Sequence, residues 1–489
     1  HLNKILVIFL FFFLLYLSTF EMMFAMSKKA FIFLPDGVGL RNFALTNFNA
    51  IGTALGYEIT YWNNTPFKIK EELGFQELVI ENHKLHPMTT VYTRARKRCE
   101  LNVFDKQFNE TVYNTYNFPQ SYKGIKNAIK SLNVDFLVAT KSTEKGVEGI
   151  RTKIKKLERT TSKYDYCKKQ LIEHKPDIVF CTNPRPTQAI APILAAQDLG
   201  IPTASFIFSW DNLPKATTLI EPDFYFVWSD YMKKELLQYC PYVKPEQVFV
   251  TGTPQFESHF DSSLLQSKED FYKAHHLDVE KKYICFSGDD IVTSPLDQYY
   301  LEDLALSVRE LNQQGYNLGI IYRKCPVDFT TRYDAVLKQY QDVIVSIDPL
   351  WRPVGTSWNE IMPTKEDFAL QANICRHTEF VGNIASSMVF DFVAHDKSCL
   401  FFDYEQPQLK KGIRDIGQNY KYIHFRSMPS SDAALFIHDK TRLTAMVKAI
   451  LEGEKSNVPV GKKWFDVVVG TEPTKASEKI WDGINSIVK

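Results

Sequence analysis

Two serines stand side by side in the stretch Val381-Gly-Asn-Ile-Ala-Ser-Ser-Met-Val-Phe-Asp391, and an acid follows four residues after the second. The apolar residues on either side read as strand, turn and helix. Ser386, Ser387 and the free N–H groups of the helix start would then converge on one point, an arrangement suited to a phosphate. A capping box would place an acid at 389 or 390, where Val389 and Phe390 stand instead. Asp391 falls one turn above Ser387 on the same helix face, within reach of a ribose or sugar hydroxyl.

Three more loops follow apolar, strand-like runs. Arg323 and Lys324 leave one run together ahead of Pro326, and two cations there can neutralise a diphosphate. An ordinary surface charge pair is the plainer reading. Ser209-Trp210-Asp211-Asn212 pairs an indole face with hydrogen-bonding groups, as a sugar requires, although an Asx-turn with Trp210 packed in the core fits equally. In Asp36-Gly37-Val38-Gly39, followed by Arg41, the glycines permit close backbone approach to a ligand and Asp36 is a candidate base; a tight turn with a solvated acid is the alternative. A dinucleotide fingerprint would need glycine at 42, where Asn42 stands. Arg94, Arg96, Lys97 and Arg98 form a basic knot among aromatics that could rest on acidic headgroups at a membrane periphery, with a solvated charge run as the commoner outcome. His83, His86, His275, His276 and His424 lack metal-ligand spacing, and the eight cysteines are scattered singly with no C-x-x-C. The cysteine pattern fits a reducing compartment, and a cytoplasmic protein at the inner face of a membrane is expected.

The elements that must carry these loops are strands and helices in alternation. The 489 residues exceed one ordinary core, and 45 % hydrophobic with 24 % charged residues describes a globular chain. A net charge of +1 gives no basic excess for a nucleic-acid partner. Residues 1–25 contain an apolar block at 5–17. It reads either as a membrane anchor or as upstream translation before a start at Met26. From there the pattern predicts strands at 30–34, 58–62, 176–182, 203–208, 224–228 and 247–251, with helices at 40–55, 187–199 and 230–239, one long charged helix or a pair over 143–173, and an insertion or an elaborated helical region over about 66–135. A second cycle predicts strands at 283–287, 318–322, 343–347, 379–381 and 399–402. The resulting class is α/β with two Rossmann-like doubly wound domains, 26–260 and 261–470, facing a central cleft, and a C-terminal helix within 471–489 crossing back to brace the first. Ligands of such sheets bind outside the carboxyl ends of the strands, which here means in the cleft.

With these loops in place, the chain resembles GT-B glycosyltransferases, and among them the CDP-glycerol glycerophosphotransferase-like and surface-polysaccharide transferases. Three stretches carry the resemblance: Arg323-Lys324-Cys325-Pro326, the pair Ser386 and Ser387 with Asp391, and residues 248–257, which are also similar to the turn closing the first domain of UDP-sugar 2-epimerases. Cys325 stands where the family pattern often has histidine. The resemblance implies a transferase that takes a sugar or polyol phosphate from a UDP- or CDP-linked donor, as substrate and without a separate cofactor, to a cell-surface glycan or lipid-linked acceptor. It implies donor contacts from Arg323, Lys324, Ser386, Ser387, Asp391 and Gly288, and acceptor-side contacts from Gly37, Gly39, Arg41, Trp210 and Asn212. Asp36 or Asp211 would serve as base. No metal is implied, because Asp289-Asp290 lacks the D-x-D spacing. A 2-epimerase or a non-catalytic nucleotide- or glycan-binding module would share the fold.

Overall fold

The computed structural model describes residues 27–81, 84–354, 360–410 and 415–488. The apolar block at 5–17 and His83 lie outside them. The first sheet has seven parallel strands: β1 (Lys28–Leu34), β2 (Tyr57–Asn63), β3 (Glu77–Val79), β4 (Ile178–Cys181), β5 (Thr203–Phe206), β6 (Phe224–Val227) and β7 (Val248–Val250), in the order β3-β2-β1-β4-β5-β6-β7. The second has six: β8 (Lys282–Ser287), β9 (Leu318–Arg323), β10 (Ile344–Ile347), β11 (Phe380–Asn383), β12 (Ser398–Phe402) and β13 (Leu435–Ile437), in the order β10-β9-β8-β11-β12-β13. The central strands β4, β5, β9, β11 and β12 are buried throughout, as expected when helices cover both faces of a parallel sheet. Both sheets are doubly wound and Rossmann-like.

In each sheet the chain leaves its first strand toward one edge and later returns to that strand's other side. The reversal falls between β1 and β4 in the first sheet and between β8 and β11 in the second. A crevice opens at such a reversal outside the strand C-termini. These two crevices set the place of the site.

The structure adds detail to the sequence reading at four places. The helix expected over 40–55 is two, Val38–Phe43 and Phe48–Ala54. Between them the Thr46 hydroxyl donates to the Asn42 carbonyl and accepts from the Phe48 N–H, so a side chain takes over backbone pairing. The charged segment 143–173 divides at Thr161, whose hydroxyl caps the second helix. Within 66–135, where the pattern loosens, stands the 20-residue helix Thr89–Phe108. Its inward face carries Arg96 and Glu100, both buried and ion-paired to each other, with Arg151 paired to Glu100 from the neighbouring helix, and these charges interrupt the apolar stripe. Finally, β3 and β13 are three-residue strands too short to signal themselves.

The C-terminal helix Ala476–Ile487 lies on the first domain. Trp481 stacks on Phe48 at 4.8 Å and donates its indole N–H to the Phe48 carbonyl at 2.7 Å. Gly52 makes room for it, since a Cβ there would lie 2.1 Å from the indole. The preceding helix Val458–Val468 places Trp464 between Trp210 of the first domain and Phe390 of the second.

Candidate functional site

On the first-domain side, β1 ends at Leu34 and delivers Asp36 beside Asn183, which follows β4. The Asn183 amide donates to one Asp36 oxygen at 2.9 Å and the Val38 N–H to the other at 3.2 Å. Burial pushes the Asp36 carboxyl up to about 6, against the opposing effects of Val38, Arg185 and Asn183. A carboxyl at that value exchanges a proton near neutrality, which suits a general base or acid. Gly37 is the N-cap of helix Val38–Phe43 with ordinary helical torsions. The expectation that Gly39 admits a ligand is corrected: a Cβ at Gly39 would meet the Thr182 hydroxyl at 2.2 Å, so the glycine seats the helix on the end of β4.

On the second-domain side, β11 runs into a turn in which Ala385 adopts a left-handed φ of 52°, strain of about 1–2 kcal/mol for a residue with a Cβ. That turn presents Ser386 and Ser387. Ser387 is the N-cap of a six-residue helix, Met388–Val393, and makes no side-chain capping bond. Ser386 accepts only a long 3.4 Å bond from the Met388 N–H. Both hydroxyls line a cavity of about 240 Å³ together with Gly288, Arg323, Lys324 and Asp391. Gly288 is needed for packing as well, since a Cβ would lie 3.0 Å from the Tyr322 ring.

Arg323 is buried and anchored at 2.6 Å by Asp367, whose carboxylate also accepts from the Leu350 N–H and the Trp351 indole. Its second terminal nitrogen has no hydrogen-bond partner. Arg41, expected on the acceptor side, crosses from the first domain into this same cavity. Its Nε is likewise buried without a partner, and burial depresses the guanidinium while Asp391 and Asp367 sustain its charge. Buried guanidinium N–H groups left unpaired cost free energy, which sets these two nitrogens apart from the anchored one on Arg323.

Asp391 also has protein partners of its own. It lines the cavity, but one carboxylate oxygen already accepts from Gln371 at 2.6 Å and lies 2.8 Å from His259 Nε2. Burial works against its charge, and His259, with Arg41 and Gln371, outweighs burial and holds the carboxyl below its ordinary value. The other ring nitrogen of His259 meets His395 at 3.0 Å. Asp391 thus orders the cavity wall. Cys325 also lines the cavity, with its thiol raised to about 12 by burial, so it offers no thiolate near neutrality.

The 240 Å³ cavity adjoins a larger cleft of about 670 Å³ with which it shares Asp289, Ser386 and Ser387. That cleft shares Lys97, Arg185 and Thr217 with the space of about 350 Å³ beside Asp36. One trough therefore connects the two switch points. Asp211 lines its middle, but Ser209, Asn212 and the Lys215 ammonium all occupy its carboxylate. Burial opposes that charge, while Lys215 overcomes it and keeps the carboxyl far below its usual range. His424 nearby is held neutral, lowered to about 3 by burial. Asp211 has little basicity left, and Asp36 is the better base. Asp289 goes the other way, raised well above the carboxylate range by burial and the neighbouring Asp297 and Asp290.

Trp210 and Asn212 do not form the sugar platform expected of them. Trp210 is 7 % exposed and packs edge-on against Phe390, His424 and Trp464; Asn212 is buried and spends its amide on Asp211. The basic knot also dissolves. Arg96 is internal, its guanidinium donating to the Ala216 and Thr218 carbonyls, and Arg98 pairs with Asp135. Lys97 faces the trough with its ammonium lowered to about 8 by burial and by Arg185 and Lys215; Arg94 alone of the four is exposed. Sequence reasoning missed His259, Asp367 and Lys215, whose roles arise only from partners brought up by the fold. Lys215 alone had a local signal, its i,i+4 spacing from Asp211.

No protein-family model matches the sequence, and no curated protein is significantly similar to it. Solved structures are similar in fold. S. aureus MnaA, solved with UDP, aligns over 94% of this chain and 96% of its own, at 12% identity and a TM-score of 0.50. A Listeria monocytogenes protein assigned as a UDP-N-acetylglucosamine 2-epimerase aligns over the same shares at 12% identity and a TM-score of 0.52. The fold is GT-B. A GT-B similarity at this identity fixes the two-domain frame and its cleft and leaves the chemistry to the residues described above. The spinosyn rhamnosyltransferase SpnG aligns over 94% of this chain and 100% of its own, at 11% identity and a TM-score of 0.44.

Proposed function

We propose that this GT-B chain is an enzyme acting on a nucleotide-activated sugar, with the diphosphate held by Arg41, Arg323, Lys324, Ser386 and Ser387. The observation that carries the reading is the convergence of two arginines, Arg41 and Arg323, from two domains on one cavity, each with a guanidinium nitrogen that no protein group satisfies. Donors fixed in place before the ligand arrives stabilise charge that develops on a leaving nucleotide. The cavity of about 240 Å³ suits a diphosphate, and the adjoining trough has room for a sugar. UDP is the first nucleotide to test, because the S. aureus protein was solved with it.

Two reactions fit such a substrate. The Listeria protein's assignment puts 2-epimerisation first. Inverting a carbon that bears hydrogen needs groups that take and return a proton. The trough offers Asp36, shifted to about 6, and Asp289, raised well above the carboxylate range, where the separate loops had suggested single acids. Transfer of a sugar or polyol phosphate to a glycan or lipid-linked acceptor is the second reading. It is favoured by the unfilled 670 Å³ cleft between the domains, walled by Tyr116, Phe118 and Tyr422, where an acceptor can enter. CDP-glycerol is one donor within that reading.

The test is incubation with a panel of UDP-sugars and CDP-polyols, followed by chromatography. Epimerised sugar, or a glycal with free UDP, supports the first reaction. Nucleotide release that depends on an added acceptor supports the second. Arg323→Met should weaken UDP binding by about tenfold to hundredfold, as expected for losing one charge-assisted contact. Unchanged affinity for every nucleotide tested would overturn the site.

A further inference from the structure

Large apolar side chains on the surface are not spread evenly. Ile125, Ile129, Leu132 and Phe136 are 80%, 55%, 61% and 67% exposed, and their spacing of four, three and four residues sets them along one face of the helix Ile125–Lys141. The opposite face holds the helix down: Ser131 and Val134 are buried, and the Ser131 hydroxyl donates to the Ser121 carbonyl at 2.8 Å. The stripe therefore points directly away from the protein. In the loop leading to it, Tyr122 is 51% and Phe118 is 76% exposed, and Phe118 also stands at the wall of the trough.

The exposed charges on the helix itself are all basic. Lys123, Lys126, Lys130 and Lys141 are exposed on or beside the helix. Its single acid, Asp135, is taken up by Arg98, Gln120 and Tyr122. A second copy of the chain, paired about a two-fold axis, would bring these lysines together. A layer of anionic headgroups over acyl chains complements both features. Among the described residues no helix is long and apolar enough to cross a membrane, and this one needs only to lie in the interface.

We propose that helix Ile125–Lys141 is a membrane-docking element, with Ile125, Ile129, Leu132 and Phe136 entering an anionic phospholipid surface and the lysines meeting its headgroups. Docking there sets the trough, through Phe118, beside the bilayer. It would do so whatever reaction the trough performs. It also replaces the basic knot at 94–98 as the contact surface, since Arg96 is internal.

The test uses the full chain with vesicles of phosphatidylcholine, alone or mixed with phosphatidylglycerol. Because residues 5–17 are themselves apolar, the readout is local: amide hydrogen exchange of the segment 125–141. Slowed exchange is expected with the mixed vesicles only, fading as salt is raised. Ile129→Asp with Phe136→Asp should abolish that slowing, and Lys126→Glu with Lys130→Glu should weaken it by at least about thirtyfold in vesicle concentration. Both pairs of sites are exposed, so the variants retain the fold. Exchange indifferent to vesicles would overturn the proposal. So would protection that rises with protein concentration in their absence, which would mark a contact between copies.

Discussion

Replacing Asp36 with asparagine tests the electrostatics of the first-domain crevice through the sign of a pH effect. Asp36 is 8% exposed, and burial moves its carboxyl from the ordinary 3.8 to about 6. The native state thus binds this proton more tightly than the unfolded chain. Stability from the group is complete below the unfolded value and declines as pH rises through the interval up to about 6. At about 1.36 kcal/mol per unit, the ionised carboxylate costs the native state about 3 kcal/mol at alkaline pH, of which roughly half is already present near pH 5. Asp36→Asn removes that cost but forces the Asn183 amide, which now donates to the carboxylate, to find another acceptor, a loss of about 1 kcal/mol. The variant should therefore be about 2 kcal/mol more stable at about pH 8. Its advantage should shrink by about 1.4 kcal/mol at about pH 5. Urea denaturation at the two pH values checks this, comparing midpoints of the first-domain transition because a two-domain chain need not unfold in one step. An advantage equal at both pH values, or larger in acid, would refute the assignment of a raised pKa to Asp36.

Other outcomes separate binding from architecture. Ser387→Ala should weaken UDP affinity by about threefold to tenfold in calorimetry and leave the melting temperature unchanged, because the hydroxyl makes no capping bond. Asp391→Ala should behave oppositely to a pure ligand contact: leaving buried His259 and half-buried Gln371 without their acceptor costs about 3–5 kcal/mol, visible as a drop in urea midpoint before any ligand is added. Gly39→Ala drives a methyl into Thr182, so a loss of about 1–3 kcal/mol in the same measurement is expected with no ligand involved.

Much of the frame could be read from residue types alone. Buried parallel strands are short apolar runs, and those at Ile178–Cys181 and Phe224–Val227 stand out because a polar, capped helix adjoins each, Ser162–His174 before the first and Asp230–Tyr239 after the second. Ser229, for instance, caps Asp230–Tyr239 as its position suggests. Within the region read as an insertion or a helical elaboration, the bounds of helix Thr89–Phe108 were not legible because its buried face holds paired charges, and a pattern built on apolar periodicity registers Arg96 and Glu100 as surface. In the site, the loops at strand ends were legible: Asp36, Gly288, Arg323, Ser386 and Ser387 all line the trough. Which carboxylates remain unoccupied was not, because that depends on partners far away in sequence. Asp391 meets His259 from 132 positions away, while Asp211 is saturated by neighbours whose rotamers the sequence leaves open. The place of Arg41 was hidden for a similar reason: it follows the Asp36 loop, but the short helix Val38–Phe43 turns it into the cavity lined by second-domain residues.

The reach of Arg41 makes the cavity of about 240 Å³ a joint property of two bodies. If the domains swing apart, Arg41 leaves with the first, Asp391 and Asp367 lose a neighbouring cation, and Arg323 stays behind with a half-used guanidinium. A bound diphosphate would bridge the two arginines and hold the halves together. Affinity and closure then become one equilibrium, in which a ligand lacking the diphosphate binds weakly because it cannot recruit the second body.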